Sequence, residues 1–233
     1  MTQNSCRAVI SVPANNTTME PELNALAPEL APFAVARVKL PSATLTQADL
    51  PAYSRNTIDS ITPFLSPRLE LVVYGCTAAG FLAGPAASAR IMDEMRAKSG
   101  ATVVGTGAAM ADVLKHEGVK EAAVVTPYLD AVNDGLRAYL AKSGIAVEVL
   151  NSFKCQNTKE LGEVSEAQVM DLALRTVTAK SQALFIACSQ LPTLGILDEL
   201  REKLGIPVWS SISATAWAAS QAMAGKSRRG AAE

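Results

Sequence analysis

The sequence has a single histidine, His116, and four cysteines that lie far apart along its 233 residues, namely Cys6, Cys76, Cys155 and Cys188. Zinc sites and redox dithiols place such residues a few positions apart, so neither kind of site is predicted. His116 stands at a predicted helix end, where a cation stabilises the helix dipole, and this role is favoured over that of a hydrolase base. Aromatic residues make up 5% of the chain, so no stacking site for a cofactor is indicated.

Charge is also sparse. Charged residues make up 18% of the chain and the formal net charge is −1, so neither nucleic acid nor an anionic membrane surface is predicted as a partner. No apolar run approaches the length of a membrane span, and the N-terminus lacks the charged and then apolar segments of a secretion signal. We therefore expect a cytoplasmic protein whose cysteines are free thiols.

What the sequence does contain is a regular alternation of short apolar segments with longer amphipathic ones. Strands are predicted at residues 8–13, 33–38, 69–75, 101–106, 122–128, 145–150, 183–187 and 207–209. Helices are predicted between them, for example over residues 86–98 and 129–142, and residues 151–162 are predicted to be a polar loop. Strands that alternate with helices of this length predict βαβ units and parallel sheets.

The order of motifs along the chain repeats once. A strand that ends in proline and a polar turn is followed by a strand that ends in cysteine and a hydroxyl residue, and this order occurs twice. The repeat predicts an α/β protein of two similar Rossmann-like (flavodoxin-like) lobes with parallel sheets and a cleft between them. We assign residues 1–100 and 206–233 to the first lobe and residues 101–205 to the second.

Two of the cysteines end matching strands. Cys76 follows the apolar segment 71–75, and Cys188 follows the apolar segment 183–187. Ligands bind at the carboxyl ends of the strands in open α/β sheets. A single cysteine there would most often be a small buried hydrophobe, but two in matching contexts favour a chemical role on opposite walls of the cleft. A strand end beside a helix N-terminus is expected to help such a thiol to ionise.

These segments resemble a known family. The chain is similar to the aspartate/glutamate racemase superfamily, in the branch that holds maleate cis-trans isomerase and arylmalonate decarboxylase. The similar segments are residues 12–20, 75–77, 125–128 with Asn133, and 187–189. Arylmalonate decarboxylases carry only the second cysteine, so the presence of Cys76 and the Asn-Thr-Thr-Met-Glu run at 16–20 makes the resemblance to maleate isomerases the nearest.

The resemblance implies an enzyme that acts on a small dicarboxylate, needs no cofactor and forms a homodimer. It implies that Cys76 adds to maleate as the nucleophile, and that Cys188 serves as the opposing acid and base until fumarate is released. Substrate binding is implied for a set of polar residues: Asn16, Thr77, Tyr128, Asn157 and Ser189. In the loop after the strand at 145–150, Asn157 is preferred to Asn151.

Other functions remain open at this stage. A racemase of an amino acid, a hydantoin or a related carboxylate could use the same two thiols, although no carboxylate adjoins either cysteine motif to bind an ammonium group. A decarboxylase needs one thiol, and a non-catalytic sensor of dicarboxylates needs neither. The chain also departs from the family pattern, because Ser189-Gln190 stands where Thr-Asn is common and because Cys155 brings a third thiol towards the cleft.

Overall fold

Two four-stranded parallel sheets organise the chain in a computed structural model, which describes residues 6–40 and 45–230. The first sheet contains β1 (Ala8–Pro13), β2 (Phe33–Val38), β3 (Leu71–Tyr74) and β4 (Thr102–Gly105), in the order β2-β1-β3-β4. The second contains β5 (Glu121–Thr126), β6 (Ala146–Ser152), β7 (Ala183–Ile186) and β8 (Val208–Ser210), in the order β6-β5-β7-β8. Because the two orders are equivalent and both sheets are parallel, the predicted fold class is confirmed.

The helices connect the strands in the manner of βαβ units. They are α1 (Met19–Leu26), α2 (Leu50–Ser60), α3 (Thr77–Ser99), α4 (Thr106–His116), α5 (Asp130–Lys142), α6 (Thr158–Gly162), α7 (Glu166–Thr176), α8 (Leu197–Leu204) and α9 (Ser211–Gly230). Short 3-10 helices cover Gln47–Asp49 and Thr62–Phe64. Strands β3 and β7 are buried along their whole length, as expected for parallel strands that are covered on both faces. None of the helices within the described ranges is long and apolar enough to cross a membrane.

The sheets divide the chain differently from the predicted lobes at two strands. Strand β4, which we assigned to the second lobe, pairs with β3 in the first sheet, and β8, which we assigned to the first lobe, pairs with β7 in the second sheet. Each sheet thereby gains a fourth strand from the chain that follows its cysteine-bearing strand. Helix α9 then runs back and packs against α1 and α4. Strand pairing depends on contacts between residues far apart in sequence. The local sequence around the predicted boundaries at 101 and 206 therefore does not reveal which sheet β4 and β8 join.

Helix α3 begins earlier than the sequence pattern predicts. It starts at Thr77, directly after Cys76, whereas the predicted helix started at residue 86. The backbone is not helical at Gly84, whose φ is +75°, so α3 consists of two helical segments that meet at a kink there. Pro85 follows the kink, and the predicted helix over 86–98 corresponds to the second segment. A second difference is α6, which forms within the predicted polar loop at 151–162.

Candidate active site

Cys76 and Cys188 line one cavity of about 290 Å³ at the carboxyl ends of the two sheets. Each lies two residues beyond the end of its strand, β3 or β7, and each residue is 5% exposed. The equal burial follows from the equivalent places of the two strands, since β3 lies between β1 and β4 in its sheet and β7 lies between β5 and β8 in the other. All the residues that the sequence singled out line this same cavity: Asn16, Cys76, Thr77, Tyr128, Asn157, Cys188 and Ser189.

The Cys76 thiol faces hydrogen-bond donors from two directions. Because α3 begins at the next residue, the backbone N–H groups of Ala79 and Ala78 point towards the sulfur. The hydroxyl of Tyr53, from α2, approaches it from the other side. Burial raises the pKa of the Cys76 thiol, and these three donors partly offset the rise because each stabilises the thiolate.

Cys188 has an equivalent set of donors. Its pKa is raised by burial, and the Tyr128 hydroxyl and the backbone N–H groups of Gln190 and Leu191 partly offset the rise. The Gln190 N–H donates to the Cys188 sulfur at 3.4 Å. These backbone donors belong to a turn, because the following helix α8 begins only at Leu197.

Backbone N–H donors help both thiols to ionise, as expected, although only those at Cys76 belong to a helix N-terminus. Loss of hydration by burial is the larger influence and acts in the opposite direction. Both cysteines are thus protonated at neutral pH. A reaction that uses a thiolate must form it during the catalytic cycle.

Tyr128 lies between the two thiols. Burial raises its pKa well above the ordinary tyrosine value, and the nearby Cys188 and Cys76 raise it further, so its hydroxyl remains a donor. The Thr77 hydroxyl acts on the same group and partly offsets this rise. Thr77 Oγ1 has no hydrogen-bond partner of ordinary geometry within the described part of the chain, although it is buried. Two hydroxyls at the cavity wall are thus available to a ligand.

Asn16 and Ser189 use their polar atoms within the protein. Asn16 Oδ1 accepts from the backbone N–H groups of Thr18 and Met19 at 3.1 and 2.9 Å, which caps the start of α1. Its Nδ2 donates to both the carbonyl oxygen and the hydroxyl of Ser189, each at 3.1 Å. The Ser189 hydroxyl in turn donates to the Gly75 carbonyl oxygen at 2.9 Å. This network joins the loops after β1, β3 and β7 at the cavity.

The loop after β6 contributes Asn157 and Cys155 to the cavity wall. Asn157 Oδ1 accepts from the backbone N–H groups of Lys159 and Glu160, each at 3.0 Å, so its side chain caps α6. Asn151 does not line the cavity; its Nδ2 donates to the Thr176 hydroxyl at 3.1 Å. Of the two asparagines, the preferred one therefore lies at the site. Cys155, the third thiol expected towards the cleft, also lies at the cavity wall, and its pKa is raised by burial, by Glu160 and by nearby Cys188.

Most of the remaining wall is apolar, and sequence reasoning missed it. The apolar side chains come from segments that are distant in sequence: Leu40, Leu45, Leu82, Leu129, Val132 and Leu161. Among the described residues, no lysine, arginine or histidine lines the cavity, and no group of cysteine, histidine and acidic side chains could hold a metal ion. A ligand here is held by neutral donors and apolar contacts.

Comparison with known proteins agrees with this geometry. The family model described as arylmalonate decarboxylase matches residues 10–233. Arylmalonate decarboxylase from Bordetella bronchiseptica is 28% identical over 208 residues, which cover 88% of this chain and 82% of that protein. Maleate isomerase from Nocardia farcinica is 26% identical over 219 residues, which cover 91% of this chain and 87% of that protein.

The fold is also that of solved relatives. A variant of the maleate cis-trans isomerase from Nocardia farcinica, solved with a covalently bound succinylcysteine intermediate, superposes with a TM-score of 0.85 at 23% identity and covers 94% of this chain and 92% of that one. A single family model matches residues 10–233, and this range includes both cysteine motifs. The chain belongs to the arylmalonate decarboxylase family, in the branch of the aspartate/glutamate racemase superfamily that also holds the maleate isomerases.

Proposed function

We propose that this protein is a cofactor-independent cis-trans isomerase that converts maleate to fumarate through a covalent adduct on Cys76, with Cys188 as acid and base. One observation carries the proposal: two equally buried thiols from matching strand ends line the same cavity, each with its own set of hydrogen-bond donors. A decarboxylase needs one such thiol, whereas addition and protonation at neighbouring carbons need two groups.

In the first step, the Cys76 thiol releases its proton to solvent, and the resulting thiolate forms a bond to one alkene carbon of maleate. The π electrons move towards the neighbouring carbon and its carboxylate, and this carbon takes the proton of the Cys188 thiol. The product is a succinyl thioether on Cys76, with a thiolate at Cys188. The former double bond is now single, so rotation about it becomes an ordinary torsion.

The second half of the cycle reverses the addition in the rotated geometry. The Cys188 thiolate removes a proton from the carbon next to the thioether carbon, the double bond re-forms, and the bond to Cys76 sulfur breaks. Fumarate leaves, the Cys76 thiolate takes a proton back from solvent, and Cys188 is again a thiol. Atoms and charge balance over the cycle, and no oxidant, reductant or cofactor takes part.

Charge that develops on a substrate carboxylate during addition needs donors already in place. The hydroxyls of Tyr128 and Thr77 supply two donors, because Tyr128 stays protonated and Thr77 Oγ1 has no other ordinary partner within the described ranges. Neutral donors suffice for an anion in this cavity because exclusion of water strengthens each hydrogen bond. We assign Asn16, Asn157 and Ser189 to shaping the binding site, since their side chains also hold the surrounding loops.

Relatives support the proposed chemistry. Maleate isomerases are among the similar proteins, and one of them was solved with a succinylcysteine, which is the adduct expected from addition of a cysteine to maleate. We also propose that the substrate is a small dicarboxylate and that the protein forms a homodimer. Light scattering of the purified protein tests the assembly independently of activity.

The test is proton NMR of the protein mixed with maleate in deuterated buffer. Appearance of fumarate supports the proposal, and Cys76→Ser and Cys188→Ser each reduce the rate on the order of 10³-fold or more. Cys6→Ser is the matched control, since Cys6 does not line the cavity, and it retains most of the activity. Mass spectrometry of Cys188→Ser after incubation with maleate is expected to find one added maleic acid on Cys76. Absence of fumarate with the intact protein would overturn the proposal.

Arylmalonate decarboxylation is the second candidate, favoured by the Bordetella bronchiseptica relative and by the apolar part of the cavity wall. It predicts release of carbon dioxide from phenylmalonate that depends on Cys188 and survives Cys76→Ser. A two-thiol racemase predicts instead that a chiral carboxylic acid exchanges its α-proton with deuterium and needs both cysteines. Cys76→Ser therefore separates the decarboxylase from the other two activities, and the product, fumarate or an α-deuterated acid, separates the isomerase from the racemase.

A further inference from the structure

Tyr53 is a buried tyrosine whose hydroxyl lacks an ordinary hydrogen-bond partner among the described residues. It lies on α2 with no exposed surface, within the core cluster that also holds Tyr74 and Cys76. Its hydroxyl oxygen has no hydrogen-bond partner of ordinary geometry within the described part of the chain, yet it faces the Cys76 thiol closely enough to act on it. Thr57 lies beside this hydroxyl, but its own hydroxyl donates to the Tyr53 carbonyl oxygen at 2.8 Å.

The arrangement at Cys76 matches that at Cys188 in chemistry but not in position. Tyr128 serves Cys188 from the cavity wall, whereas Tyr53 approaches Cys76 from the core and does not line the cavity. A ligand in the cavity can therefore contact Tyr128 and cannot compete for Tyr53. Besides Cys76, the Tyr53 hydroxyl has only Tyr74 and Thr57 acting on it among the described side chains.

We propose that Tyr53 is a positioning residue that donates its hydroxyl hydrogen to Cys76 whenever that sulfur carries negative charge. The inference rests on the proposed role of Cys76 as the nucleophile. A neutral thiol is a weak acceptor, so the phenol gains little in the empty enzyme. A thiolate is a strong acceptor, and a charge-assisted hydrogen bond forms when the proton leaves or when the thioether bond breaks.

Few other groups near Cys76 can do this. The ionisable side chains that influence it are Tyr53, Tyr74, Tyr128 and Cys188. All four are neutral while protonated, and within the described ranges no basic side chain lines the cavity. The thiolate consequently depends on Tyr53 and on the backbone N–H groups of Ala79 and Ala78. Removal of the phenol should make the Cys76 thiolate harder to form.

The test is alkylation of the whole protein by iodoacetamide across a range of pH, with Cys76 and Cys188 followed separately by peptide mass spectrometry. Tyr53→Phe is expected to slow labelling of Cys76 several-fold at a fixed pH near 8 and to move its pH midpoint upwards. Labelling of Cys188 should not change. Tyr74→Phe is the matched control, because the Tyr74 hydroxyl is also buried without an ordinary partner but is not among the donors that lower the pKa of Cys76.

A Cys76 midpoint in Tyr53→Phe equal to that of Tyr74→Phe would overturn the proposal. Thermal unfolding distinguishes the proposed role from a role in packing. If Tyr53 only packs, Tyr53→Phe would lower the melting temperature and leave the pH midpoint of Cys76 labelling unchanged. Should the phenylalanine variant not fold, trifluorotyrosine at position 53 of the full chain gives a more acidic phenol, and the midpoint should move downwards; no movement would again overturn the proposal. Labelling needs no substrate, so its outcome is independent of whether maleate is isomerised.

Discussion

Asn16 and Ser189 meet at the cavity, where one asparagine side chain ties the first sheet's loops to those of the second. Nδ2 of Asn16 donates to the Ser189 carbonyl oxygen and hydroxyl at 3.1 Å each, while its Oδ1 caps α1. The neighbouring residues add to this junction, since Gln190 Oε1 accepts from the Thr17 N–H at 3.0 Å. The walls that carry Cys76 and Cys188 are thus held together by buried polar contacts.

Asn16→Ala is expected to destabilise the protein by about 2 kcal/mol, because the N–H groups of Thr18 and Met19 lose their acceptor and the Ser189 carbonyl oxygen loses its donor. Urea unfolding measures the change. Asn15→Ala is the matched control, since Asn15 also lines the cavity but its Oδ1 has no hydrogen-bond partner within the described residues. Equal losses of stability in the two variants would show that the contact with Ser189 contributes nothing.

A second junction is carried by Glu22, whose buried carboxylate accepts from the Thr193 N–H at 2.7 Å and from the Thr193 hydroxyl at 2.9 Å. Burial raises the pKa of Glu22, and nearby Glu166 raises it further. A carboxyl group with a raised pKa contributes stability below its unfolded pKa, and this contribution is lost as the pH rises through the folded pKa.

Glu22→Gln should therefore raise the melting temperature at pH 7, because it removes the cost of the buried charge and can still bond Thr193, whose hydroxyl can accept from the new amide. The gain should shrink as the pH falls from 7 through the raised folded pKa, and it should be smallest below 4.5, the ordinary pKa of the carboxyl. Glu20→Gln serves as the control, since Glu20 forms a half-exposed ion pair with Arg37 at 3.7 Å. A melting temperature lowered at pH 7 by Glu22→Gln would contradict the prediction.

Stability should also respond to the two buried thiols. Burial raises the pKa of Cys76 and of Cys188 above the ordinary value of 9.0. The stabilisation from each protonated thiol is then complete below pH 9.0 and is lost as the pH rises through the folded pKa. We expect the stability difference between the intact protein and Cys76→Ser to fall with rising pH in this range, as measured by urea unfolding. A difference that stays constant would mean that the thiol pKa is unshifted.

Tyr128→Phe is expected to reduce the rate of maleate isomerisation on the order of 10²-fold, because one donor to the developing charge is lost. It should also raise the pH at which Cys188 becomes labelled, since the Tyr128 hydroxyl lowers the pKa of that thiol. Tyr139→Phe provides the comparison, because Tyr139 is buried against Phe81 with ring centroids 5.6 Å apart and does not line the cavity. Similar rates in the two variants would remove Tyr128 from the proposed chemistry.

Much of the site follows from local patterns. Strand ends that carry Cys76 and Cys188 are recognisable because a fully buried parallel strand is a short continuous apolar run. The two runs occur in matching contexts, and equivalent strands place their carboxyl ends at equivalent edges. That reasoning brings the two thiols into one cleft before any coordinates are known. The asparagine cap at Asn16 has a local signature as well.

Other features have no local signature. Tyr53 stands at a buried position of an amphipathic helix, where a packing tyrosine would give the same pattern, and only the fold turns its hydroxyl towards Cys76. The apolar cavity wall is assembled from loops that are distant in sequence. The places of β4 and β8 likewise depend on strand pairing across long separations.

By itself, then, the sequence determined the two-lobed parallel architecture and the residue types that meet at the cleft, because apolar runs and their spacing are properties of the chain. Only the tertiary structure decided the protonation of the thiols and the partners of Asn16 and Ser189. Burial outweighs the backbone donors at both sulfurs, and the degree of burial depends on everything that packs over them. The chemistry of the site is therefore set by long-range packing acting on groups that the local sequence supplies.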